Sequence, residues 1–284
     1  MATAAATLRH AQQPAAVRAW RWFRANVLFL YTGFAVLYLM LPVLVITLFS
    51  FNDPAGRSNF VWQGFTLDYW LDPLGVAGLG DAVVLSLEIA FLSTLVATIL
   101  GTLIALALVR YGFRGRGATN MLIALPMATP EIVLGASLLT MFVAIGRPPF
   151  FPLSFFTILI AHIMFNISYV VVTVRARLAG FPRHLEEAAM DLGANEWTTF
   201  WKVTFPLIFP GIMAAALLAF SLSIDDFVIT NFTSGKTQTF PMYIYAKSRI
   251  GIPVQVNVIG TLIFVIAVGS VLISTLAQRR DRAA

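Results

Sequence analysis

The chain has 284 residues, of which 59% are hydrophobic and 11% charged, with a net charge of +6 and no cysteine. Ordinary soluble domains carry about 45–50% apolar and about 25% charged residues, so a water-soluble fold is excluded; this much apolar surface needs lipid. The missing cysteines also exclude a disulfide framework, a thiolate metal site and a cysteine nucleophile, and His10, His162 and His184 are too scattered to ligate a metal together.

A membrane-crossing helix needs about 20 mainly apolar residues, and six runs qualify, near 27–49, 82–109, 121–145, 153–174, 207–230 and 256–277. Residues 1–26 form a basic segment ahead of them. Val17, Trp20, Phe23 and Val27 fall there at helical spacing with Arg18, Arg21 and Arg24 between, a pattern that suits either an interfacial amphipathic helix or a flexible basic tail. The first run exceeds the roughly 7–15 residues of a signal h-region and lacks a small-x-small cleavage site, so it reads as a retained anchor. The loop 50–81 carries Asp53, Asp68, Asp72 and Asp81 against Arg57. With no internal repeat or linker, residues 27–284 read as one six-span domain.

Lysine and arginine set the direction of insertion. Fourteen lie before span one, after spans two and four, and at the C-terminus: Arg9, Arg18, Arg21, Arg24, Arg110, Arg114, Arg116, Arg175, Arg177, Arg183, Lys202, Arg279, Arg280 and Arg282. Only Arg57, Arg147, Lys236, Lys247 and Arg249 lie on the other side. Both termini are therefore expected in the cytoplasm. The positive balance reflects loops held against anionic lipid and calls for no nucleic acid.

The longest cytoplasmic loop, 175–206, has a helical texture. Leu185, Ala188, Ala189 and Leu192 make an apolar stripe at i, i+3, i+4 and i+7, with Arg183, Glu186, Glu187 and Asp191 on other faces. Gly193 follows as a C′ residue, Asn195 stands as the N-cap of a second helix over 196–202, and Pro206 marks the return to the membrane. This spacing resembles the EAA loop of ABC-importer permeases: Glu187, Ala188 and Ala189, three residues, Gly193, nine residues, then Val203, Thr204, Phe205 and Pro206. Val203 and Phe205 replace the family's Ile and Leu with other apolar residues. Pro130, Glu131, Ile132 and Val133 in span three resemble the spermidine/putrescine importer permeases. So do Ser223, Ile224, Asp225 and Asp226 closing span five, and the stretch 241–257.

The resemblance implies an all-α, polytopic, type I (MetI-like) permease in a bacterial inner membrane, with six transmembrane helices and cytoplasmic coupling helices. It implies a second permease subunit, favouring a heteromeric pair, two ATP-binding subunits and an extracytoplasmic solute-binding protein. ATP and magnesium would be held by the ATPase and no cofactor by this chain. Glu187 is then the expected charged contact to the ATPase, Ala188 and Ala189 permit close approach, and Gly193 sets the turn.

Charge points to the passenger. Glu88, Glu131, Asp225 and Asp226 lie in or at the edge of spans that contain no deep Lys or Arg. An ionisable group at a span centre costs about 2.5–3.5 kcal/mol on insertion scales, so these carboxylates need partners, and a polyamine would supply them. At about 1.5 Å per residue, a straight third span puts Glu131 near the midplane. Each has a structural alternative. Glu131 would also suit a helix restarted after Pro130, Glu88 would bond a neighbouring helix, and Asp225 and Asp226 would end span five. Trp62, Tyr69, Trp70, Tyr243 and Tyr245 suit ammonium stacking or interfacial anchoring. Other cargoes of the same machine (ferric iron, sulfate, an opine-like solute) are the nearest alternatives. An intramembrane hydrolase fits poorly, because Ser168 lies off the helical face of His162. Gly235, Lys236 and Thr237 resemble the end of a Walker A loop, but Thr230 stands where its first glycine belongs. Asn166 and Asn231 head two sequons that read as chance.

Overall fold

The computed structural model describes the backbone of residues 15–56, 58–147 and 152–281, and the side chains of 20–56, 58–147 and 152–269. Arg9, His10, Arg57 and Arg282, and the side chains of Val17, Arg18, Arg279 and Arg280, lie outside the described residues. Helices make up the regular structure; among the described residues the only β pairing is an isolated bridge between Asn52 and Phe65. Two compact units divide the chain, Met1–Pro73 with Pro253–Ala284, and Leu74–Ile252.

In the first unit, α1 (Ala15–Phe49) runs unbroken from the basic segment through the first apolar run. Its partner is α12 (Val254–Asp281). After α1 the chain turns through a small polar knot centred on buried Asn52. The Asn52 amide donates to Asn59 Oδ1 at 2.7 Å and to the Val61 carbonyl at 2.8 Å, while its oxygen accepts from Gln63 N–H at 2.8 Å. Asn59 in turn donates to the Phe49 carbonyl at 2.7 Å, which satisfies a free acceptor at the end of α1. Phe51 stacks between Phe65 and Trp70, and Trp70, in the short α2 (Asp68–Leu71), donates to the Ser50 carbonyl.

The second unit is built on α3 (Leu79–Arg110), α6 (Phe155–Ala179) and α9 (Phe205–Ile224), which pack on one another. Small residues make this possible. Ser93, Ala97, Gly101 and Ala105 recur every fourth residue along α3 and are buried, and Ala215, Ala219 and Ser223 do the same on α9. In lipid no hydrophobic effect joins helices, so close backbone approach and dispersion carry the association. At Gly101 the approach is so tight that an added Cβ would stand 2.6 Å from Val170 Cγ1.

The expected third span is two helices, α4 (Arg116–Ala128) and α5 (Glu131–Ile145), bent by 111° at the break. Thr129 is extended (φ −85°, ψ 132°) because a residue before proline is pushed out of the helical region. A depth for Glu131 reckoned along a straight helix therefore fails; the residue opens the first turn of α5 instead. The fifth span also ends early, at Ile224, and the chain restarts as α10 (Val228–Thr233), which packs on α5 and α6. There Gly135 admits the Phe232 ring at a point where a Cβ would lie 2.6 Å from Cδ2. After a turn at Gly235 (φ +62°), α11 (Phe240–Ser248) returns against α3. Among the described residues, four helical stretches are long and apolar enough to cross a membrane, and the bent pair, taken as one span, makes a fifth. The 28-residue α12 supplies the sixth expected run.

Candidate functional site

The polar loop expected over 175–206 is shorter than the sequence implied, because α6 continues to Ala179 and carries Arg175 and Arg177 with it. Beyond it, α7 (His184–Asp191) holds the Glu-Ala-Ala triplet. The helix ends in a Schellman turn. Ala194 N–H returns to the Ala189 carbonyl at 3.1 Å, Gly193 N–H to Met190 at 2.9 Å, and Gly193 takes φ +90°. Asn195 then caps α8 (Glu196–Thr199), its side-chain oxygen accepting from Thr198 N–H at 2.8 Å. Both the stop and the cap are where the residue types put them.

Pro206 does not interrupt the chain. A π-helical turn, Phe200–Thr204, joins α8 to α9, so that Glu196–Ile224 forms one continuous stretch. Pro206 has no N–H to offer the Lys202 carbonyl, and the ladder widens just before it, with Phe205 N–H bonded to the Phe200 carbonyl. The arm presents an open apolar surface: Leu192 is 90% and Trp197 71% exposed. Glu187 and Ala188 are exposed beside it and Ala189 is half-buried. Glu186 points the other way, into an ion pair with Arg110 and a hydrogen bond from the Thr204 hydroxyl.

The four span carboxylates divide into two kinds. Glu88 on α3, Glu131 at the start of α5 and Asp225 at the end of α9 are exposed, and no ion pair involves them among the described residues. Asp226 is enclosed, with a side chain only 8% exposed. It caps the first turn of α10, accepting from Thr230 N–H at 2.8 Å and Thr230 O–H at 2.7 Å, and His162 Nε2 stands 3.4 Å away. Asp226 thus serves the local fold, the structural alternative weighed for it from the sequence: the break after Ile224 leaves α10 with free N–H groups, and this carboxylate accepts from them.

His162 joins Asp226 to a buried polar chain across four helices. Thr230 gives its proton to Asp226, so its oxygen accepts from His162 Nε2–H at 2.9 Å, and Nδ1 lies 2.6 Å from the Ser223 hydroxyl, from which a neutral ring accepts. Ser93 lies 3.0 Å from Ser223, and the Asn166 amide donates to Ser93 at 3.4 Å. All of these hydroxyl, imidazole and amide side chains belong to buried residues. Ser168, the partner weighed for His162 from the sequence, takes no part. The Ser223–His162–Asp226 set has the residue types of a hydrolase, but Ser223 is turned inward against Ser93 and closed to any substrate.

Several aromatic side chains already have cations. Lys247 Nζ lies 5.2 Å from the Tyr243 ring and Arg249 5.2 Å from that of Tyr245, whose other neighbour is Phe227. The sequence reading missed the His162 network and the Arg110–Glu186 pair. The four-residue spacing of small residues on α3 and α9, which brings the backbones together, was the available signal. Gly235 owes its place to packing: a Cβ there would sit 2.3 Å from the Leu153 carbonyl oxygen.

Residues 97–283 match the family described as binding-protein-dependent transport system inner membrane component. The chain is 35% identical over 262 residues to the spermidine/putrescine transport system permease protein PotC of Haemophilus influenzae, covering 92% of this chain and 98% of the relative. It is 38% identical over 242 residues to the putrescine transport system permease protein PotI of Escherichia coli strain K12, covering 84% and 85%. A solved bacterial ABC transporter involved in import of the acidic polysaccharide alginate matches with TM-score 0.63 at 18% identity, over 94% of this chain and 98% of that one. The inward-facing methionine transporter MetNI matches at 0.53 and 20% identity, over 72% and 95%.

Proposed function

Because the chain belongs to the family of binding-protein-dependent transport system inner membrane components, we propose that it forms the path by which polyamines, putrescine or spermidine, enter the cell. It is a multi-pass inner-membrane permease of an ABC importer and not itself an enzyme. The observation that carries the substrate is the likeness to polyamine permeases, 35% identity over 92% of the chain. The geometry agrees with it. Glu88, Glu131 and Asp225 are exposed carboxylates with no ion pair among the described residues, and a diammonium passenger supplies what they lack. The fold alone leaves the cargo open, since the alginate transporter carries an acidic polysaccharide on a similar frame.

Coupling falls to α7 and α8. Glu187, Ala188, Ala189 and Gly193 form the face that seats in an ATPase, with Pro206 and the π-helical turn leading it into α9. The ATPase holds ATP and magnesium. A second permease, two ATPase subunits and a solute-binding protein complete the machine, with both termini of this chain in the cytoplasm, as the distribution of arginine directs.

The test is the reconstituted complex in proteoliposomes. Binding protein loaded with putrescine or spermidine stimulates ATP hydrolysis and uptake, and binding protein loaded with sulfate or ferric iron does not. Stimulation by an anion, with none by a polyamine, overturns the substrate reading.

A further inference from the structure

Three arginines fasten the coupling arm and the roots of the helices that carry it. Arg177, in the last turn of α6, donates Nε and Nη2 to the Leu207 carbonyl of α9 at 3.3 and 3.1 Å. Its stem lies where Gly211 leaves room, since a Cβ on Gly211 would come within 2.6 Å of Arg177 Cγ. Arg183, just before α7, donates to the Val109 carbonyl at 3.2 Å. That carbonyl belongs to the last turn of α3, where acceptors have no partner within the helix and cations are favoured by the helix dipole.

The third fastening is the pair at Glu186. Arg110 Nη2 meets its carboxylate and stands 3.4 Å from Thr204 Oγ1, and the Thr204 hydroxyl donates to the same carboxylate oxygen. Thr204 is fully buried in the π-helical turn. One carboxylate of α7 therefore holds the end of α3 and the root of α9 together. Neighbouring residues on a helix point about 100° apart, which turns Glu186 inward while Glu187 stays exposed. The side chain of Glu186 is 15% exposed and that of Arg110 30%. Arg110 and Glu186 also line a groove of about 180 Å³ with Tyr111, Met190 and Glu196.

We propose that Glu186, with Arg110 and Thr204, is the joint that turns displacement of α7 into movement of α3 and α9 together. Glu186 is a positioning residue inside this chain and not a contact with the ATPase. The proposal rests on the coupling role given to α7 above. Without the joint, α7 still docks, but the load passes to the backbone on either side of it and to the Arg183 contact with the Val109 carbonyl.

The experiment uses the assembled complex and reads uptake per ATP hydrolysed, together with co-purification of the ATPase. Glu186→Arg and Arg110→Glu each lower uptake per ATP at least fivefold, the low end of ordinary coupling free energies, while the ATPase co-purifies in full. The double exchange restores the ratio to within about twofold, since the pair reforms with its charges reversed. Glu187→Arg, by contrast, loses the ATPase. Should the reversed variants be degraded, Glu186→Gln and Thr204→Val read the same quantity. The joint is overturned if the single variants keep normal uptake per ATP, if the double exchange recovers nothing, or if Glu186→Arg alone loses the ATPase. If Glu187→Arg also leaves binding and uptake untouched, the coupling role of α7 itself has failed.

Discussion

Asp226→Ala separates a lock from a substrate contact. The alanine removes the acceptor for Thr230 N–H at 2.8 Å and Thr230 O–H at 2.7 Å, and the neighbour of His162 Nε2 at 3.4 Å. Hydrogen bonds to a charged group contribute about 1.5–3 kcal/mol each, and an N-terminal cap about 1 kcal/mol. These overlap on Thr230, because its hydroxyl rotates and recovers part of the loss. The net cost is about 3 kcal/mol, at the lower edge of the roughly 3–5 kcal/mol found when one member of a buried pair is removed. At about 2–4 °C per kcal/mol for a unit of this size, the melting temperature falls by about 6–12 °C. Asp226→Asn keeps one acceptor for Thr230 N–H and falls by about half as much. Thermal unfolding of the detergent-purified complex measures both. In proteoliposomes the maximum uptake rate drops and the half-saturating polyamine concentration stays put. An unchanged melting temperature with a tenfold rise in half-saturation refutes the lock and makes Asp226 a polyamine ligand.

Three further outcomes follow from the same geometry. Glu88→Gln, Glu131→Gln and Asp225→Asn each raise the half-saturating concentration for putrescine uptake several-fold while the melting temperature moves little, because none of the three is in an ion pair among the described residues; thermal shift and uptake kinetics together check this. Gly101→Leu drives a Cβ to 2.6 Å from Val170 Cγ1, so α3 and α6 must separate at a cost of about 3 kcal/mol or more, as in overpacked cores; the folded protein recovered from membranes falls sharply, while Gly112→Ala, with nothing near its Cβ, is recovered normally. Gly193→Asp puts a side chain at φ +90°, breaks the Schellman turn and uncouples ATP hydrolysis from uptake, read as ATPase activity that no longer depends on loaded binding protein.

What was legible locally came through well. The apolar runs, the Gly193 stop, the Asn195 cap and the restart at Pro130 depend on residues within a turn of one another, so spacing and residue type suffice to place them. The severity of the Pro130 bend was not legible, because a proline marks a break without setting its angle; that angle follows from how α5 packs on α10. Pro206 stands in the first turn of α9, but the π-helical turn before it was not legible for a related reason. The sequence shows a missing N–H, but a widened turn absorbs it when the helix on either side is held by neighbours.

The divergence of the carboxylates lies beyond any one-dimensional reading. Asp225 and Asp226 are adjacent in the chain and identical in type, yet one is exposed and the other locked to His162, 64 positions earlier by number. Glu186 and Glu187 part in the same way, and the partner that decides it is Arg110. The amino-acid order alone commits this chain to lipid, to an all-helical frame and to a polar arm, because those follow from apolar content and local hydrogen-bond geometry. Which acids are tied into the fold and which stay exposed is decided only when α3, α6 and α9 close on their small residues and bring His162 to 3.4 Å from Asp226.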